Sequence, residues 1–126
     1  MKRTMLMALM LALMLTAASG AASQSAEEER RAAITLLRAI NTAEAAIHRS
    51  GHYVALPELV DQAAMARVKP NIVMNGSAIT YQGAQVRLAL SADATQYVVT
   101  VVTGAPNYTA AFSDERGVIY TGKALE

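Results

Sequence analysis

From residue 33 the apolar positions recur at helical spacing. Ala33, Leu36, Leu37, Ile40, Ala43 and Ile47 are three or four apart and fall on one stripe wide enough to cover a sheet. Arg31, Arg38, Thr42 and Glu44 are expected to lie away from the stripe, in water. Ser25 followed by Glu28 has the spacing of a capping box, and Glu27, Glu28 and Glu29 place negative charge in the first turn. Gly51, able to take a left-handed conformation, closes the other end. The pattern predicts one long amphipathic helix from about Ala26 to Ser50. A short second helix is expected from Pro57 or Glu58 to about Ala66, with Pro57 in the first turn where its missing N–H costs nothing.

Pro70 and Asn75-Gly76 then break the chain, and the period changes to two. Val86, Leu88 and Leu90 alternate with polar or small residues, as in a half-buried strand. Gln96 to Thr103 is rich in β-branched residues, with Tyr97, Val99 and Val101 on one side and Val98, Thr100 and Val102 on the other. This strand is expected to be central and partly covered on both faces. Tyr108 to Ser113 and Val118 to Thr121 form a last hairpin across Asp114-Glu115-Arg116-Gly117, where a glycine in the fourth place suits a type I turn ending in a left-handed residue. Ser91 to Ala94 and Gly104 to Asn107 are the other turns. The fold class that follows is α+β, one long N-terminal helix packed on an antiparallel meander of three to four strands.

The N-terminus has a different pattern. Lys2 and Arg3 precede an unbroken apolar run from Met5 to Leu15, and small residues follow from Thr16 to Ala22. This is the layout of a secretory signal peptide, with cleavage after Ala18, Gly20 or Ala22. The run is shorter than the ~20 residues that span a bilayer, so no stable membrane span is expected after cleavage. The expected organisation is a signal peptide at 1–22, a single domain at 23–126, and a periplasmic or secreted location. The segment also accounts for the composition. The chain has 126 residues, a net charge of +1 and 53 % hydrophobic residues, and five of its seven methionines lie before residue 15. Residues 23–126 hold nine basic and ten acidic side chains, which excludes a broad basic surface for nucleic acid. The absence of cysteine excludes disulfides, thiolate metal sites, a cysteine nucleophile and lipid attachment through a cysteine.

Several segments carry a family resemblance. Leu37-Arg38-Ala39-Ile40-Asn41-Thr42-Ala43-Glu44, then Gly51-His52-Tyr53 and Leu56-Pro57-Glu58-Leu59, are similar to the globular part of type IV pilin-like and pseudopilin-like proteins. Tyr97-Val98-Val99-Thr100 resembles that family's central strand, and Phe112 to Ile119 its closing hairpin. The resemblance covers about Ala32 to Tyr120. It implies a pilin-like head, no enzymatic activity, and a role in binding other protein subunits, as an accessory of a bacterial pilus or secretion system. The chain departs from the family in having no Phe-Thr-Leu-Ile-Glu-like start. Its apolar run precedes the charged Ala26-Glu27-Glu28-Glu29-Arg30-Arg31 instead of forming half of the helix. An exported head domain, working outside the usual route of filament assembly, is what that departure implies. The alternative is a free periplasmic module holding a small ligand between helix and sheet.

Chemistry-bearing residues are sparse. His48 and His52 have a spacing that would suit zinc on a continuous helix, but Gly51 interrupts the face. Asp114 and Glu115 offer hard oxygen ligands, yet a hairpin turn accounts for both. Ser50 adjoins the histidines without a nucleophile motif around it. No catalytic, cofactor-binding or metal-binding residue is therefore assigned, and no cofactor is expected. Of the tyrosines, Tyr53 and Tyr97 are expected in the core and Tyr81 and Tyr108 at the surface.

Overall fold

The apolar stripe does form the inner face of a long helix. The computed structural model describes residues 2–76 and 78–124, with side chains from Ser25 onward. Helix α1 spans Lys2–Ile47. It does not start at Ala26: Ser25 lies within the helix, and its hydroxyl accepts a hydrogen bond from Asn107 Nδ2 at 3.2 Å in place of the expected capping box. The backbone thus runs unbroken across the predicted boundary at residue 22, and the side chains of the apolar run lie outside the described residues. Ala33, Leu36, Leu37, Ile40 and Ala43 are buried as the spacing predicts. A single 3₁₀ turn, His48–Ser50, ends the helix at Gly51, whose φ of +107° is the expected left-handed cap.

The predicted second helix is broken. Helix α2 is only Leu56–Leu59, and a separate 3₁₀ turn follows at Ala63–Met65, with Gln62 extended between them. Leu56, Leu59, Val60, Met65 and Val68 are all buried. Their spacing fits no single helical face, so the chain breaks to turn each of them inward.

The sheet has six strands, not three to four: β1 Ile72–Asn75, β2 Ala78–Tyr81, β3 Ala84–Leu90, β4 Tyr97–Val102, β5 Thr109–Asp114 and β6 Ile119–Lys123. They form an antiparallel meander in chain order. The extra strands are the short β1–β2 hairpin. Asn75 pairs with Ala78, and Gly76 at φ +66° supplies the positive φ of a two-residue turn, so the Asn-Gly read as a break is a hairpin signal. Gln82 at φ +48° and Gly83 at φ +82° make the next two-residue turn into β3. The β5–β6 turn closes as predicted, with Gly117 at φ +79° donating to the Asp114 carbonyl at 2.9 Å.

One face of the sheet is covered. Helix α1 lies over β4, β5 and β6, α2 touches β2, and the Ala63–Met65 turn packs against α1. Beneath them Ile79, Tyr81, Val86, Tyr97, Val99, Val101 and Ala111 join the helix stripe in one core. The outer face has no second layer among the described residues, and β4 is therefore covered on one side only. Tyr81 is buried, contrary to the expectation of a surface tyrosine, because its register with Ile72 and Ala84 turns it inward. Tyr53 and Tyr108 are half-buried, and Tyr97 is fully in the core.

Candidate functional site

The helix–sheet seam contains polar side chains that the periodicity did not announce. Asn41 stands on the flank of the stripe and faces β4 and β5. Tyr97 Oη donates to its Oδ1 at 2.6 Å, its Nδ2 donates to Ser113 Oγ at 2.9 Å, and Ser113 Oγ donates to the Val118 carbonyl at 2.8 Å. The chain of bonds ties the C-terminal part of α1 to β4, to β5 and to the turn of the last hairpin. Burial pushes the Tyr97 phenol up from its ordinary value, with the charge of Glu44 adding to the shift. Removing the hydroxyl in Tyr97→Phe leaves a part-buried amide oxygen without its donor. The expected loss is about 1–3 kcal/mol in urea unfolding, and an unchanged midpoint would show that Asn41 does not hold the helix.

Glu44 is the largest departure from expectation. It is fully buried, at 0 % exposure, where a solvated side chain was expected. Its Oε1 accepts the Val54 N–H at 2.9 Å, which fastens the segment after Gly51 to α1. Its Oε2 is buried without a partner. Burial raises the carboxyl pKa from 4.5 to about 7, the Val54 N–H opposing the shift and the charge of Glu58 adding to it. Beside it Tyr53 stacks on His48, with ring centres 4.3 Å apart, and meets Tyr97 edge-on at 4.8 Å.

Nearer the start of the described side chains, Glu29 Oε2 accepts from Thr103 Oγ1 at 3.1 Å and Thr109 Oγ1 at 3.2 Å. A cleft of about 240 Å³ opens next to this cluster, between α1 and the β2–β4 part of the sheet. Ala33, Ala84 and Val101 give it an apolar floor; Glu28, Gln82 and Thr103 give it a polar rim.

The residues weighed for chemistry in the sequence are not brought together. His48 and His52 are exposed on either side of Gly51, and His48 is engaged by Tyr53. Ser50 Oγ donates to the Ile47 carbonyl at 2.8 Å, a local helix-end bond. Asp114 is paired with Arg116 at 2.8 Å, which lowers its pKa, and Glu115 turns back to the Tyr97 N–H. Among the described residues no group of three or more His, Asp or Glu side chains is placed to hold a metal ion.

The outer face of the sheet remains. Val98, Phe112 and Tyr120 are 49 %, 47 % and 46 % exposed, and Val102 lies beside them. Phe112 and Tyr120 are cross-strand partners whose rings stack with centres 4.9 Å apart. Sequence reasoning found Val98, Thr100 and Val102 as one side of β4 but expected that side to be partly covered. No protein-family model matches the chain, and neither a curated protein nor a solved structure matches it. Among the described residues no helix is long and apolar enough to cross a membrane.

Proposed function

We propose that the chain is an exported, non-enzymatic, pilin-like domain that acts by protein–protein contact in the periplasm or after secretion, as an accessory of a pilus or secretion system. The observation that carries this reading is the bare outer face of the sheet, where Val98, Val102, Phe112 and Tyr120 form an apolar patch opposite the helix. Grouped exposure of large apolar side chains marks interaction surfaces more often than single exposed ones do. A photo-crosslinking residue in place of Phe112, in the cells that make the protein, should give a discrete adduct. The same residue in place of Arg49, on the exposed helix end, should give none. Equal labelling at both positions, or none at either, removes the contact reading. Intact mass of the purified protein tests export separately: a chain beginning at Ser19, Ala21 or Ser23 is expected, and a retained Met1 argues against it.

The cleft beside Glu29 supports a second reading, a module holding a small ligand between helix and sheet. A melting temperature that no member of a small-molecule library changes would leave that reading without support.

A further inference from the structure

The cleft beside Glu29 has an acidic end that no described cation of the chain neutralises. Glu29 is half-buried, and its Oε2 takes the hydroxyls of Thr103 and Thr109, while no described group donates to its Oε1. Glu28, on the same rim, is exposed and enters none of the ion pairs among the described residues. The nearest basic residues in sequence, Arg30 and Arg31, both turn to Glu27. Two carboxylates with spare acceptor capacity on one rim favour a positively charged occupant. A metal ion is the poorer fit, because no third His, Asp or Glu among the described residues joins them. An ammonium needs only acceptors for its three N–H donors.

The sheet side of the cleft holds a polar group with nothing in the chain to bond. Tyr81 is only 5 % exposed and lines the cleft. The other core tyrosine, Tyr97, gives its hydroxyl to Asn41, whereas no described residue bonds the Tyr81 hydroxyl. Nor is that hydroxyl sealed inside: among the described residues, the one buried side-chain atom without a partner is Glu44 Oε2. It therefore opens where its residue meets free space, which is the cleft. Burial pushes this phenol up from its ordinary value, so at neutral pH it is an O–H able to donate and accept. Between the two ends Ala33, Ala84 and Val101 make an apolar floor that suits a methylene chain. At about 240 Å³ the cleft is below the ~300–1,000 Å³ of most small-molecule pockets, so its ligand is small.

We infer that this cleft binds a small primary amine, with the ammonium at Glu28 and Glu29, a methylene chain over Ala33, Ala84 and Val101, and a hydrogen-bonding group at the far end against Tyr81. The inference rests on the small-ligand reading of the cleft and assigns the charge and polarity of the ligand.

The test is a ¹⁵N NMR titration of the purified protein with 3-aminopropanamide, 4-aminobutanamide and 6-aminohexanamide, which vary the span between ammonium and amide. Amide shifts should concentrate at Glu28–Ala33, Tyr81–Ala84 and Val101–Thr103. Glu28→Gln should weaken binding about two- to fivefold, the range of an exposed ion pair. Tyr81→Phe should weaken binding of the best amino amide about two- to tenfold, the range of one hydrogen bond, and leave that of butylamine unchanged. Because its hydroxyl has no partner in the described chain, Tyr81→Phe should also keep the urea midpoint, unlike Tyr97→Phe. A lowered midpoint would make the hydroxyl a structural group and overturn the proposal. Pentanamide, in which a methyl replaces the ammonium of 4-aminobutanamide, should bind more weakly. If pentanamide or pentanoate shifts the same amides as strongly, the amine assignment falls and the small-ligand reading stands. Calcium producing those shifts where the amines do not would overturn the assignment too. No cleft shift with any amine up to tens of millimolar would overturn the inference, and a library compound that still shifts these amides would preserve the cleft reading alone.

Discussion

Stability is expected to fall by about 3 kcal/mol as the pH rises from about 4.5 to about 7, because of Glu44. In the unfolded chain this carboxyl ionises near its ordinary value of 4.5; in the folded protein burial holds the proton until about pH 7. Between those values the folded state binds more protons than the unfolded state, so raising the pH favours unfolding. Above pH 7 both states are ionised and the loss is complete; below 4.5 both are protonated and it vanishes. Asp93 works in the opposite direction at lower pH. Hydrogen bonds from Thr95 and Ser91 hold it at about 2, so the stability it contributes is lost as the pH falls from 3.8 towards 2. The profile should therefore peak near pH 4 to 5, on the acid side of neutrality.

Glu44→Gln isolates the cause. The amide oxygen can still accept the Val54 N–H, but nothing titrates, so the decline between pH 5 and 8 should disappear from urea unfolding curves. The groups facing Glu44 are Glu58, Tyr53, Tyr97 and, across Tyr53, His48. If the variant keeps the full decline, the buried carboxyl is not its origin. The orphaned Oε2 becomes an amide nitrogen without an acceptor, which costs about 1–3 kcal/mol and is felt at every pH. The slope, and not the absolute stability at one pH, is the readout.

The same residue shows how far the sequence could be read. The helix stripe, the Gly51 cap, the Tyr97 side of β4 and the Gly117 turn follow from period and turn chemistry, and the structure has them. Glu44 is expected away from the stripe and in water, yet it is one turn beyond Ile40 and close to the axis of the stripe. What decided the matter was a non-local need: the Val54 N–H, ten residues on, lacks any secondary-structure partner and takes the carboxylate. Period cannot show that bond. Strands β1 and β2 were lost for another reason. Four residues on each side of a two-residue turn are too few to establish alternation, and the Asn75-Gly76 signal was assigned to a break.

Ile40→Ala is expected to be the most damaging truncation of the helix stripe, at about 3–4 kcal/mol within the 2–5 kcal/mol range for a large-to-Ala change in a core. Ile40 is fully buried among the core residues, midway along the inner stripe. The size of the loss depends on whether neighbours can close the hole. On the sheet side they are fixed, since β4 is hydrogen-bonded between β3 and β5. On the helix side the next residue, Asn41, is bound to both Tyr97 and Ser113, so α1 cannot settle inward without breaking those bonds. The cavity should persist. Ile47, at the half-buried end of the same stripe and followed by a single 3₁₀ turn, has no such restraint, and Ile47→Ala should cost about 1 kcal/mol. Urea unfolding of both variants at the same pH, 5, where Glu44 of the folded protein is largely protonated, gives them the same ionic contribution. A loss at Ile40 no larger than that at Ile47 would mean that the helix adjusts freely over the sheet and that the Asn41 bonds do not fix its position.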